Sequence, residues 1–354
     1  MNASSAPTFD ALGHSGLRVS RLWLGTMTFG GRTDEAEARN IVDATRDAGL
    51  NAVDTADTYA GGESERMVGR LLHADRERWI VATKVSNPVG TEPNDRGLSR
   101  HWLMREIDNS LRRLDMDWID VYYMHRDDEV TPVEETLGTM ARLIERGKIR
   151  YYGVSNFRAW RVARMVETAR RMNVPPPIVC QPTYSAVARG IEGELIPACA
   201  HYGVGVVAYS PLARGVLTGK YRPDAPPEPD SRAGRSDRRL LETEYTPQAL
   251  DAAQRIAAHA QARGTNPSSF AIAWALNNRH VHGVIGGPRT LAQWRDYLDA
   301  LGFEVNAQDE ALIDQLVPAG HSATPHFTDP MYPVAGREAR DFAARAPIPT
   351  AQAR

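Results

Sequence analysis

The sequence predicts an α/β chain closed as a (β/α)8 TIM barrel. Three observations predict it. Short apolar runs alternate with stretches of helical periodicity, and the alternation repeats eight times along the 354 residues. The runs are apolar on both faces, as parallel strands covered by helices must be. No G-x-G-x-x-G run follows the first of them, which the competing doubly wound open sheet would ordinarily use to bind a dinucleotide. The whole chain, 1–354, is expected to form a single barrel domain. Its core spans about 20–300, and a C-terminal helix and tail cover 304–354.

Each element follows from local chemistry. LGHSGLRVSRLWLGT reads as a turn-rich hairpin leading into a strand at Leu22–Leu24. Helical periodicity over Asp34–Ala48 stops at Gly49. The strand Asn51–Asp54 precedes a helix from about Glu63 to His73. The strand Ile80–Lys84 precedes a helix over Ser99–Leu114, with Ser99 able to cap it. The strand Ile119–Tyr123 precedes a helix over Val133–Arg146, ended by Gly147. Three further strands, Tyr151–Val154, Ile178–Gln181 and Gly205–Tyr209, alternate with helices over Arg158–Met172 and Gly193–Tyr202. Helices over Pro247–Arg263 and Pro267–Asn277 lead to the last strand, Val281–Ile285, and a helix over Thr290–Leu298. Ser210–Thr246 reads as a long proline-rich loop, a length that usually signals function or disorder. The tail beyond Val317 is too broken by proline for a helix before about Arg337, and its end, ARAPIPTAQAR, is expected to be mobile.

Composition excludes several functions. The chain is 42% hydrophobic and 24% charged, with a net charge of −2. No basic excess points to nucleic acid or to an anionic membrane. No apolar run approaches the ~18 residues of a membrane span, and MNASSAPTFDAL has no signal-peptide pattern. Cys180 and Cys199 have no metal spacing and read as buried thiols in a reducing cytoplasm. A cytoplasmic protein with a small-molecule substrate is expected, forming a homo-oligomer in one reading. No nucleic-acid, membrane or metal site is expected.

In such a barrel the active site lies at the C-terminal ends of the strands. Asp54 ends the second strand and Tyr59 follows it by five residues. Lys84 ends the third, and His125 follows the fourth. Singly, each has a dull reading: a loop acid, a half-buried ring, a snorkelling strand end, a loop imidazole. Together they make a proton-delivery set for reducing a carbonyl or oxidising an alcohol. A phenol can protonate the oxygen that gains charge when a hydride reaches carbon, but its ordinary pKa of ~10 is high for the task. A lysine ammonium beside it favours the phenolate. An aspartate keeps the ammonium charged and aimed while offsetting part of its effect, so geometry must decide. A histidine can orient the carbonyl oxygen.

The segments LGHSGLRVSRLWLGTMTFGG, DTADTYAGGESERMVG, ATKV, SLRRLDMDWIDVYYMH, GKIRYYGVSNF, AYSPLARGVLTGKY and VIGGPRTLAQW, in this order, resemble the aldo-keto reductase superfamily. The texture is nearest to bacterial reductases related to potassium-channel β subunits. The resemblance implies Tyr59 as acid/base, Lys84 and Asp54 as its tuners and His125 as substrate orienter. It implies NADP(H) lying across the barrel mouth. Ser155, Asn156 and Gln181 would hold the nicotinamide amide, and Tyr209 would stack on the ring. Gly25, Thr26, Met27 and Asp54 would face the cofactor from the first two strand ends. Ser210, Pro211, Leu212, Gly215 and Lys220 would run beside the pyrophosphate. Gly287, Arg289 and Gln293 would hold the adenosine end, with Arg289 suited to a 2′-phosphate. Gly286 stands where proline is usual, Tyr297 where an adenine-binding asparagine is common, and Asp296 replaces glutamate. Ser185 and Ala60 are further departures.

Substrate contacts are expected from Met27 and Phe29, from Asn87 and Pro88, and from the tail around His321–Tyr332, which forms either a lid or a strap on the barrel exterior. The function implied is NADPH-dependent reduction of an aldehyde, ketone or sugar-like carbonyl. A cofactor-binding regulatory module and alcohol oxidation are the alternatives.

Overall fold

The computed structural model describes residues 9–325 and 327–332. Eight parallel strands close a barrel: β3 (Leu22–Gly25), β4 (Ala52–Asp54), β5 (Ile80–Val85), β6 (Ile119–Met124), β7 (Ile149–Ser155), β8 (Val179–Gln181), β9 (Gly205–Tyr209) and β10 (Val281–Gly286). β10 returns to pair with β3, with Ile285 beside Trp23, so no edge remains open. Ahead of them β1 (Phe9–Ala11) and β2 (Arg18–Ser20) form an antiparallel hairpin. The hairpin seals the end of the barrel away from the strand C-termini. Its Leu12 and Val19 join the lower interior cluster with Trp23 and Val121, and the His14 N–H donates to the Gly203 carbonyl at 2.7 Å.

The strand interior fills by pairing large side chains with glycines on the next strand. A Cβ on Gly153 would fall 2.7 Å from the Tyr123 ring, and one on Gly283 would fall 2.8 Å from the Trp23 indole nitrogen. The two bulky rings fit because their neighbours have no side chain.

The helices are α1 (Glu35–Asp47), α2 (Glu63–Leu72), α3 (Arg100–Leu114), α4 (Val133–Glu145), α5 (Ala159–Met172), α6 (Leu195–Tyr202), α7 (Arg238–Thr243), α8 (Pro247–Ala262), α9 (Pro267–Asn277), α10 (Leu291–Leu298) and α11 (Ala307–Leu316). Their starts obey the expected signals. Asp34, Ser99, Thr246, Asn266 and Thr290 each accept a first-turn N–H, and Pro247 and Pro267 begin their helices. Cys180 on β8 and Cys199 on α6 are buried and unpaired by disulfide.

The expected structureless loop at Ser210–Thr246 needs correction. It holds a 3-10 turn over Ala213–Thr218 and the short helix α7, anchored by the buried Tyr221 and Leu240. α7 starts where Asp237 accepts the Leu240 N–H, a cap hidden among charges. His326 and the tail after Tyr332, including ARAPIPTAQAR, lie outside the described residues. Among the described residues no helix is long and apolar enough to cross a membrane.

Candidate active site

Strand parity brings the four chemical side chains together. Asp54 and Lys84 occupy inward positions at the C-terminal ends of β4 and β5. Lys84 is fully buried. Its ammonium donates to Asp54 Oδ1 at 2.5 Å, to the Thr55 carbonyl at 2.7 Å and to Tyr59 Oη at 3.2 Å. The same nitrogen lies 4.8 Å from the Tyr59 ring centroid. Three donors and three acceptors match, so the ammonium is saturated. Asp54 Oδ2 accepts from Gln181 Nε2 at 2.8 Å, which ties β4 to β8 across the barrel.

Burial works against the Lys84 ammonium, yet Asp54 and Tyr59 together hold it above the ordinary amine value. Burial pushes Asp54 up against the opposing pull of Lys84 and Gln181. Burial also raises the Tyr59 phenol; Lys84 lowers it, and Asp54 raises it again. The net shift is upward, so the ammonium does not bring this phenol toward neutrality as its proximity alone suggests. Tyr59 stands protonated, the state a proton donor starts from.

His125 lies beside this group, its ring 6.0 Å from that of Tyr59 and nearly perpendicular. Burial, then the charges of Lys84 and Arg126, hold the imidazole well below its usual pKa, so it is neutral. The Asn87 amide nitrogen faces Nδ1 at 3.0 Å. Donating there, Asn87 leaves the ring proton on Nε2, a hydrogen-bond donor for an oxygen at the mouth. Asn87, expected at the substrate, also bonds His125. Phe29, also read as a substrate contact, is fully buried in the packing between strands and helices and does not reach the mouth.

A second buried acid sits between Asp54 and Tyr59 and was missed in the sequence. Asp57 is 1% exposed, and neither carboxyl oxygen makes a hydrogen bond of normal geometry. Behind it Glu65 and Glu106 share the single Arg113 guanidinium, each at 2.5 Å. Burial, then Glu65 and Glu106, push the Asp57 carboxyl well above its usual value; Arg113 and the Thr58 N–H oppose this and lose. The folded state therefore binds a proton that the unfolded chain releases near pH ~4. Stability from this group is complete below that pH and declines as pH rises toward the folded value. Asp57→Asn keeps the shape and removes the charge. Thermal melts across pH should place the variant's Tm above wild type at pH 8, with the gap closing toward pH 4; a parallel offset at every pH would show Asp57 ionised in the native state.

The residues expected to face a cofactor line β7 to β10 and the following loops. Asn156 has φ 61°, a left-handed conformation asparagine tolerates. Its amide donates to the His125 carbonyl at 2.9 Å and accepts from Tyr209 Oη at 2.8 Å. Ser155 Oγ donates to the Gln181 carbonyl at 2.8 Å. Thr26, after β3, bonds the Asp54 carbonyl at 3.0 Å and Ser64 at 2.9 Å, next to Gly25 and the exposed Met27. The Ser210–Pro211–Leu212 segment opens with Ser210 at φ 56°, and Ala213, Arg214 and Gly215 are also left-handed. Lys220 Nζ comes within 3.2 Å of where a Gly215 Cβ would stand.

The residues expected at an adenosine end meet these across a cluster of cations. Burial, then Arg289 and Arg232, depress the Lys220 ammonium. Arg32 is lowered by burial and then by Arg289 and Arg235. Asp230 alone bridges two members, at 3.0 Å from Arg32 and 3.5 Å from Arg289. So crowded a set of cations suits an anion of several charges. Gln293 Oε1 accepts the Arg289 N–H at 2.8 Å, fixing the residue beside Gly287 at the head of α10. Two sequence departures prove to be one. Tyr297 packs where Gly286 has no side chain, its ring 2.9 Å from a Cβ placed there; Tyr297 is thereby buried rather than presented at the mouth.

The tail runs toward the mouth. The His321 carbonyl accepts from the Arg189 N–H at 2.8 Å, Thr324 meets Thr246 at 2.7 Å, and Asp329 pairs with Arg239 at 2.7 Å. Arg158 donates to the Tyr332 carbonyl at 3.2 Å. The Tyr332 phenol feels burial first, then the charges of Arg126 and Asp329, and it bears on Tyr209.

Comparison with known proteins gives a family. Residues 21–318 match the model of the aldo/keto reductase family. The chain is 38% identical over 284 residues to a probable voltage-gated potassium channel subunit beta of rice, Oryza sativa subsp. japonica, covering 79% of this chain and 86% of that one. It is 34% identical over 330 residues to the uncharacterized oxidoreductase YrpG of Bacillus subtilis, covering 90% and 98%. It is 32% identical over 318 residues to the L-glyceraldehyde 3-phosphate reductase of Escherichia coli, covering 87% and 92%.

Proposed function

The chain belongs to the aldo/keto reductase family, and from that premise we propose that this oxidoreductase reduces an aldehyde, ketone or sugar-like carbonyl with NADPH. The observation that carries the reading is the buried Lys84 ammonium, in contact with both Asp54 and Tyr59 Oη. A bound nicotinamide supplies the hydride. Ser155, Asn156 and Gln181 would hold its amide, and Tyr209 would stack on its ring. Gly25, Thr26 and Met27 border it from β3. Ser210, Pro211, Leu212, Gly215 and Lys220 would follow the pyrophosphate, and Gly287, Arg289 and Gln293 would take the adenosine end. The crowded cations around Arg289 are the feature that fits a 2′-phosphate.

The remaining steps belong to the chain's own residues. His125 donates from Nε2 to the carbonyl oxygen and sets its direction. Tyr59 gives its proton to that oxygen as charge gathers there. Lys84 stabilises the phenolate left behind, and Asp54 keeps Lys84 in place. The neutral imidazole and protonated phenol are the states from which donation to a carbonyl oxygen starts; alcohol oxidation would run the same proton transfer in reverse.

A second reading draws on the rice relative's name: a module that binds cofactor to report redox state. One experiment separates the two. A panel of aldehydes and ketones should show turnover with NADPH well above that with NADH, and Arg289→Ala should raise the NADPH Kd about tenfold or more while shifting NADH little. Equal effects on both cofactors remove the 2′-phosphate role from Arg289. Tight NADPH binding with no turnover on any carbonyl favours the regulatory module.

A further inference from the structure

The proton-donor group does not account for the cation beside it. Arg126 follows His125 directly, and its backbone is fixed at the mouth. The His125 N–H donates to the Val85 carbonyl at 2.7 Å, and the Arg126 carbonyl accepts from Ser86 Oγ at 3.0 Å. Its guanidinium has no ion pair or hydrogen bond among the described residues, and the residue is exposed.

Three other arginines on this face are paired. Arg161 takes Asp127 at 2.9 Å, Arg214 takes Glu244 at 3.0 Å, and Arg239 takes Asp329 at 2.7 Å. Of the three acids that follow Arg126 in sequence, Asp127 and Asp128 are committed, and the exposed Glu129 makes no ion pair among the described residues. Asp127 faces Arg161, and Asp128 accepts from Leu98 N, Val130 N, Thr131 N and the Thr131 hydroxyl. Charge from Arg126 still reaches His125 on one side and the Tyr332 phenol on the other. Tyr332 in turn bears on Tyr209. A cation without an ion pair among the described residues therefore follows the imidazole directly in the chain, just past the C-terminal end of β6. The Arg32–Lys220–Arg289 cluster is elsewhere: β4 and β5 separate β3 from β6 in the barrel.

Resting on the reductase reading above, we infer that Arg126 is the receptor for an anionic group on the substrate, so that the preferred carbonyl compound carries a carboxylate or phosphate. A guanidinium fork binds either group through two parallel hydrogen bonds. The neighbour of Arg126 in the chain is His125, the proposed orienter of the carbonyl.

Two matched pairs test this: 4-carboxybenzaldehyde against methyl 4-formylbenzoate, and glyceraldehyde 3-phosphate against glyceraldehyde, each with saturating NADPH. The wild-type enzyme should favour the charged member of at least one pair by about tenfold in kcat/KM, mainly through KM. The favoured pair identifies the anion as carboxylate or phosphate. Arg126→Gln should reduce that preference about tenfold, Arg126→Lys should restore part of it, and added salt should erode it in wild type only. A charged-to-neutral ratio that stays within about twofold of wild type in Arg126→Gln overturns the proposal, as does a wild-type preference for both neutral members. Turnover of the neutral aldehydes reads the reductase function separately. Its absence together with that of the charged ones rejects the reductase reading and this inference with it.

Discussion

Tyr59→Phe should lower kcat by about 10²–10⁴-fold, the range a positioned general acid contributes. The variant loses one oxygen and keeps the ring. That ring lies 4.8 Å from Lys84 Nζ, so the ammonium retains its aromatic neighbour and its bonds to Asp54 and Thr55. The fold and the cofactor groove should survive, and NADPH Kd measured by fluorescence titration should remain near wild type. Turnover that persists undiminished would remove Tyr59 as the acid. Loss of NADPH binding along with turnover would instead give the phenol a part in holding the groove.

Lys84→Met should act on both chemistry and stability. Methionine fills similar space without the charge. Turnover should fall as steeply as in Tyr59→Phe, because the phenolate then forms without a cation beside it. Stability should fall by about 3–5 kcal/mol, the usual cost of stripping one partner from a buried ion pair. Asp54, with its side chain only 4% exposed, is left with Gln181 as its sole hydrogen-bond partner, and the Thr55 carbonyl loses its donor. The pH dependence has a definite sign. Because the folded Lys84 pKa lies above its ordinary amine value, the pair's contribution is complete below pH ~10 and is lost only as pH rises through the folded value. Urea melts at pH 7 and pH 9 should thus show the same deficit. Combining Lys84→Met with Asp54→Asn should recover part of the stability and none of the turnover. A Lys84→Met protein as stable as wild type would mean that the pair is solvated rather than buried.

The barrel was legible because its signals are local. Glycines close helices, Ser99 and Asp34 open them, and each strand is a short apolar run, so boundaries fall within a residue or two of expectation. The convergence of Asp54, Lys84 and His125 followed from one topological rule about strand ends. What could not be read depends on contacts between elements distant in sequence. Asn87 looks like any loop amide until β5 and β6 lie side by side and bring it to His125 Nδ1. Asp57 looks like a polar turn residue until α2 and α3 close over it with Glu65 and Glu106. Gly286 and Tyr297 look like separate substitutions until β10 packs on α10. The helix α7 was hidden because its six residues, RRLLET, carry too little apolar periodicity to stand out from a charged loop. The direction of the Tyr59 shift was also beyond the sequence: it turns on burial outweighing a lysine whose presence was plain.

The central claim is that hydride and proton meet at one carbonyl in this mouth, and isotope transfer tests it most directly. NADPH carrying deuterium at C4 should be prepared as each of its two stereoisomers and incubated with the protein and 4-carboxybenzaldehyde. The account predicts alcohol bearing one deuterium from a single stereoisomer, because Asn156, Gln181 and Tyr209, in their proposed roles, would fix which ring face meets the substrate. Alcohol free of deuterium from both, or no alcohol at all despite bound cofactor, would contradict it.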